Sequence, residues 1–188
     1  MTPRAAHIDR RQSVLLLVDY QQRLMPVIAG GAEVVDAALR LAQAARLLGI
    51  PVLGTEQTPH KLGALVAPLR EHCTLRVDKT HFDACEDGLL DALNASSAPQ
   101  QIVIGGCEAH VCLLQTALGL LRAGHVVWVV EAACGARHHA DLRLAMQRLH
   151  QAGAVIVSPD MVMFEWLGSS ADEQFREVLP LVKRDAGA

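Results

Sequence analysis

The sequence predicts an α/β protein of three layers, in which a parallel β-sheet is covered by helices on both faces. Three observations carry that prediction. Short β-rich runs alternate with longer stretches of helical periodicity along most of the chain. The first run, 13–18, is almost continuously apolar, the pattern of a strand buried on both faces. Hydrophobic residues make up 51% of the chain and aromatics only 3%, so the core is built from Leu, Val and Ala.

Taken in order, 13–18 is the first strand. A helix over 33–48 follows, with Val34, Ala37, Ala38, Leu41, Ala42, Ala45 and Leu48 at helical spacing and Gly49 as a stop. Residues 51–54 form a second short strand. Residues 55–63, with Pro59 and Gly63, read as a loop before a short helix at 65–71, and 73–77 is a third strand. A helix over 86–94 leads through a loop at 95–100 to a strand at 101–105. The paired glycines Gly105 and Gly106 let the backbone bend, and a long helix covers 111–123 up to Gly124. Strand 126–130, helix 139–152 and strand 154–157 complete the alternation. Ser158-Pro159-Asp160 opens another helix, with Pro in its first turn. Ser170-Ala171-Asp172-Glu173 has capping-box spacing before a last helix running towards Leu181. No repeat, low-complexity tract or interdomain linker interrupts the pattern, so 1–188 reads as one domain.

Composition excludes several functions. The chain has 188 residues, with 17 Lys+Arg against 20 Asp+Glu and a formal net charge of −3. That balance argues against a sequence-independent nucleic-acid binder, and so few aromatics argue against a single-strand binder. Arg4, Arg10 and Arg11 precede the first apolar run, but the run is too short for a membrane span and no cleavage site follows it. The five cysteines have no framework spacing, which predicts reduced thiols and a cytoplasmic location, so the Asn94-Ala95-Ser96 sequon carries no weight.

In parallel sheets the ligand crevice lies beyond the carboxyl ends of the strands, where strand order reverses. Asp19 directly follows the first strand, and a carboxylate there needs a donor or a cation nearby. Read alone, it is equally an Asp that caps the next turn. No G-x-G-x-x-G or G-x-x-x-x-G-K-[ST] run occurs, so phosphate cradling is unsupported. Gly105-Gly106-Cys107-Glu108-Ala109-His110-Val111-Cys112 brings Cys112 to a helix N-terminus, where the dipole favours a thiolate of lowered pKa and the amides could hold an oxyanion. The other reading is a small buried apolar residue. Lys79 follows the third strand; a lone Lys is ordinarily a surface residue. Together, an Asp, a Lys and a Cys after three strands of one sheet can converge in one crevice, with Lys79 as the cation for Asp19.

Leu15-Leu16-Leu17-Val18-Asp19-Tyr20-Gln21, Lys79-Thr80-His81-Phe82 and the Gly105–Cys112 loop, in that order, resemble the three motif regions of the isochorismatase-like cysteine hydrolases. The resemblance spans nearly the whole chain. Thr55-Glu56-Gln57 and the run from Glu108 to Thr116 are similar to the isochorismatase-domain hydrolases within that family. The resemblance implies a Rossmann-like six-stranded parallel sheet of order 3-2-1-4-5-6, a non-proline cis peptide before Glu108, and an oxyanion hole from the backbone amides of Glu108 and Cys112. It also implies catalysis by Asp19, Lys79 and Cys112. Asp19 takes the thiol proton, Lys79 favours the charged forms, and Cys112 attacks an amide-type carbonyl of a small substrate. It further implies a homo-oligomer.

Departures from the family pattern matter too. Cys112 points away from hydrolysis of a vinyl ether. Thr55-Glu56-Gln57-Thr58-Pro59-His60 stands where nicotinamidases carry a metal-binding Asp-x-His, so no metal or other cofactor is expected. Ala109 replaces a frequent Thr. Gln57 is a candidate substrate contact or a solvated loop residue. His138 and His139 read as solvated first-turn residues, and His110 as a packing residue outside the catalytic set. Phe164 and Trp166 are core or subunit-contact candidates. Two other functions compete with the hydrolase. One is a catalytically degenerate scaffold that binds a partner, and the other is a thiol sensor using Cys107 and Cys112.

Overall fold

The computed structural model describes residues 7–96 and 99–183. Arg4, and Ser97 and Ala98 of the predicted 95–100 loop, lie outside the described residues. Six parallel strands form one sheet of order β3-β2-β1-β4-β5-β6. In chain order the elements are β1 (Ser13–Val18), α1 (Gly31–Leu47), β2 (Val52–Gln57), α2 (Pro59–Leu62), α3 (Ala67–Arg70), β3 (Leu75–Lys79) and α4 (Leu89–Ser96). They continue with β4 (Gln101–Cys107), α5 (Leu114–Arg122), β5 (Val126–Gly135), α6 (His139–Ala152), β6 (Val155–Val157), α7 (Pro159–Leu167) and α8 (Phe175–Lys183). Among the described residues no helix is long and apolar enough to cross a membrane.

The apolar run of β1 is buried at every position, as its composition predicts. Alternate side chains serve opposite layers. Leu15 and Leu17 join the core beneath α1 and α7, whereas Val14, Leu16 and Val18 join the core beneath α4, α5 and α6. β1 lies between β2 and β4, so the strand order reverses beside it and a crevice opens where Asp19 follows Val18.

Several strands run further than predicted, always at their carboxyl ends. β2 extends through Thr55, Glu56 and Gln57, which the sequence places in a loop. These polar residues remain in the sheet because each finds a buried partner. The Thr55 hydroxyl donates to Asp19, the Glu56 carboxylate accepts from Leu65 N at 2.9 Å, and the Gln57 side-chain amide donates to Thr80 O at 2.8 Å and accepts from Lys79. The chain leaves β2 only at Thr58 (φ +42°), and Pro59 then starts α2 inside the predicted loop. β3 is displaced to Leu75–Lys79, making Lys79 the last strand residue. The predicted 86–94 helix is a 3₁₀ turn, Ala84–Asp87, followed by α4.

The paired glycines do not end the strand, because β4 continues through Cys107, with its register against β5 shifting between Ile104 and Gly106. Their value is close approach. A Cβ on Gly106 would lie 2.5 Å from Val18 Cβ and 2.6 Å from Val18 O. A Cβ on Gly105 would meet the Tyr20 hydroxyl at 2.6 Å. The predicted capping box does not form. The Ser170 side chain makes no cap, and Asp172 instead accepts from Gln174 N at 2.8 Å just before α8 begins. Trp166 is core and Phe164 is exposed, which separates two residues the sequence left together.

Because the obstacle at Gly106 is partly backbone, Gly106→Ala is expected to lower the unfolding free energy by about 2–3 kcal/mol in urea titration. An unchanged midpoint would mean that β1 and β4 are not held so closely.

Candidate active site

Polar groups gather at the carboxyl ends of β1, β2 and β3, and the strand register explains why. Val18 is paired with Thr55, and Gln57 with Lys79, so these residues sit side by side across neighbouring strands. Asp19 leaves β1 in the left-handed region (φ +55°), which a short polar side chain tolerates better than most. Its amide donates to Thr55 O at 3.2 Å, and the turn brings its carboxylate inside rather than to solvent.

The Asp19 carboxylate is fully buried. The Thr55 hydroxyl donates to Oδ1 at 2.6 Å, and Lys79 Nζ lies 2.7 Å from Oδ2. Both side chains of this ion pair are 0% exposed. Lys79 is paired although the rest of β3 lies along an exposed edge of the sheet. Its Nζ also donates to Gln57 Oε1 at 2.5 Å and to His81 O at 3.4 Å.

Gln57 is the hub of the hydrogen bonds around the ion pair. Its Nε2 donates to Thr80 O at 2.8 Å, and its backbone is clasped by buried Gln21 through Gln57 N to Gln21 Oε1 (2.8 Å) and Gln21 Nε2 to Gln57 O (3.0 Å). Its Oε1 lies 3.8 Å from Cys112 Sγ. Both ends of the Gln57 amide are therefore engaged within the protein, and the side chain is buried rather than solvated in a loop.

Cys112 sits in a π-helical turn, Ala109–Leu113, which leads into α5. The Glu108 carbonyl secures the turn by accepting from Val111 N at 3.0 Å and Leu113 N at 3.3 Å. The peptide bond between Cys107 and Glu108 is cis. Cys112 is only 7% exposed, and both the Asp19 carboxylate and the Lys79 ammonium act directly on its sulfur. The three side chains thus meet, joined by Gln57.

The sulfur's resting state differs from expectation. The helix start predicts a thiol of lowered pKa, but burial pushes Cys112 up to about 12; the Asp19 carboxylate adds to the rise and the Lys79 ammonium opposes it. Desolvation is the largest cause because Cys112 itself is nearly closed off from water. Cys112 is therefore a thiol beside a base, not a standing thiolate.

The remaining candidates fall outside this cluster. Cys107 packs into the core on the α1 side of the sheet and Cys112 into the core on the α5 side, so they do not face one another. The thiol-sensor pairing is not formed. His110 lines a surface depression with Asp83, Arg122 and Arg148 that does not include Cys112. His138 and His139 are exposed. Among the described residues no three His, Cys, Asp or Glu side chains are grouped to hold a metal ion. Sequence reasoning missed Thr55 as the partner of Asp19, Gln21 as the clasp on β2, and Arg137, which grips the Glu108 carboxylate. For Thr55 a signal existed, since a hydroxyl at the end of one apolar strand beside an Asp at the end of the next invites a bond.

Comparison with known proteins agrees with this architecture. Residues 13–160 match the isochorismatase domain. The Xenopus laevis isochorismatase domain-containing protein 2 is 33% identical over 183 residues, covering 97% of this chain and 89% of its own. A Caenorhabditis elegans structure described as MAR1 ribonuclease superposes with a TM-score of 0.90 at 34% identity, covering 97% of this chain and 95% of that one. The Escherichia coli YcaC gene product, described as an octameric hydrolase of unknown specificity, shares the fold at a TM-score of 0.87 and 21% identity, over 95% of this chain and 89% of its own. By sequence and by fold, the chain belongs to the isochorismatase-like hydrolase family.

Proposed function

We propose that this protein is a metal-independent cysteine hydrolase that cleaves a small amide or related carbonyl compound, at a C–N bond, through Cys112. The observation that carries the reading is the fully buried Asp19–Lys79 ion pair with the Cys112 thiol against it. Burying two charges costs several kcal/mol per ion before their attraction is counted. A partner-binding scaffold has no use for that expense at a strand-end crevice, whereas a nucleophile needs it.

In this mechanism Asp19 removes the thiol proton as Cys112 attacks the carbonyl carbon, so a thiolate forms only with substrate in place. The backbone amides of Glu108 and Cys112 take up the developing oxyanion. Lys79 lies beside the carboxylate and the sulfur, and its positive charge compensates the charge that moves to sulfur. The proton on Asp19 passes to the departing amine as the C–N bond breaks. Water, activated by the same carboxylate, then attacks the thioester and releases the acid and the thiol. Gln57 acts here as a positioning residue between Lys79 and Cys112, because its amide has no free end for a substrate.

We also infer a homo-oligomer in the cytoplasm. Exposed Met161 and Phe164 on α7 offer apolar contact surface, the E. coli relative is octameric, and Cys73, Cys85, Cys107, Cys112 and Cys134 are all free.

Cys112→Ala is expected to lower turnover of the active member of a small-amide panel by at least about 10³-fold, with folding intact by circular dichroism. RNA belongs in the same panel because of the C. elegans relative's name. RNA cleavage that survives Cys112→Ala, or amide turnover that does, would overturn the mechanism. A second expectation concerns pH. With the thiol up to about 12, its alkylation by iodoacetamide should keep rising through pH 9. A plateau near neutrality would instead indicate a standing thiolate.

A further inference from the structure

We infer that Arg137 is a positioning residue for the oxyanion side of the site, acting through the Glu108 carboxylate; this rests on the Cys112 reading above. Glu108 is used at three points. Its carbonyl secures the turn that carries Cys112, its amide is one of the two proposed oxyanion donors, and its carboxylate is held by Arg137. Arg137 Nε lies 2.8 Å from Oε1 and Nη2 3.2 Å from Oε2, the two-point fork that fixes orientation as well as distance.

The fork's placement gives it this role. Cys107 is paired with Gly135 at the ends of β4 and β5, the last rung of the sheet between those strands. Glu108 and Arg137 lie just beyond that rung, in the link to Cys112 and in the link to α6 respectively. The ion pair thus ties together two segments that main-chain pairing no longer holds. The Glu108 side chain is 12% exposed and that of Arg137 56%. So exposed a pair does little for global stability, and its effect lies in geometry. Oxyanion donors work only when held at hydrogen-bond distance from the oxygen, and a small displacement is costly. The guanidinium also cancels a carboxylate that would otherwise repel the negative charge gathering on the substrate oxygen.

Two reagents separate this role from a merely structural one. Acylation by p-nitrophenyl acetate forms an S–C bond, breaks the ester C–O bond, releases p-nitrophenolate and passes the thiol proton to Asp19, through an oxyanion. Alkylation by iodoacetamide displaces iodide from an sp³ carbon and forms no oxyanion. In the full-length protein, Arg137→Ala is expected to slow acylation of Cys112 about 10-fold or more while changing its alkylation by less than about twofold, with an unchanged melting temperature. Arg137→Lys should recover part of the loss, since it restores the charge without the fork. Glu108→Gln combined with Arg137→Ala should be no slower than Arg137→Ala alone. Unchanged acylation in Arg137→Ala, or acylation and alkylation falling together, would overturn the inference while leaving Cys112 as nucleophile. Absence of acylation at Cys112 in the unaltered protein would overturn both.

Discussion

The buried contact between Lys79 and Asp19 is the constraint around which the strand ends are organised. Two full charges removed from water are tolerable only when each is held close to the other and further hydrogen bonds meet what remains. Thr55 supplies a bond to the carboxylate, and Gln57 and the His81 carbonyl supply bonds to the ammonium. Those partners in turn require β2 and β3 to run on to Gln57 and Lys79 in register, and require Gln21 to clasp the backbone at Gln57. The close approach of β4 to β1 at Gly106 then sets the distance at which the Cys112 turn begins.

The same arrangement explains how a reactive sulfur can be kept unreactive. Burial pushes the Cys112 thiol up to about 12, and the carboxylate that adds to the rise is the group proposed to remove its proton. In the proposed mechanism, nucleophilicity depends on a carbonyl being present to receive the electrons, with the backbone amides stabilising the product of attack. A standing thiolate in the same turn would be open to oxidation and alkylation at all times. Under that proposal, selectivity comes from coupling proton transfer to attack, not from an acidic cysteine.

Much of this was legible in the sequence, and for identifiable reasons. The all-apolar run before Asp19 marked a central strand, and its end marked the crevice. Asp19 stood out because it directly follows a strand signal, Lys79 because it comes just after the third, and Cys112 because it opens the helix after the glycine loop. Two things were not legible. Thr55, Glu56 and Gln57 look like loop because polarity near a proline normally signals one, whereas main-chain pairing with β3 and the partners Asp19, Leu65 and Gln21 hold them in β2. The state of the sulfur was also hidden. A helix start argues for a lowered pKa, and the competing desolvation depends on how tightly the turn is enclosed, which no local pattern encodes. Arg137 escaped notice because a lone Arg in a loop has no signature until its partner 29 residues away is known.

The ion pair itself is most directly tested by a thermodynamic cycle in which Asp19→Asn, Lys79→Met and the double variant are unfolded in denaturant. Lys79→Met alone should cost about 3–5 kcal/mol, since it strands a buried carboxylate. The double variant should then be at least about 2 kcal/mol more stable than the two single losses added together. Additive losses within about 0.5 kcal/mol would show that the two charges do not depend on one another, contradicting the account at its centre.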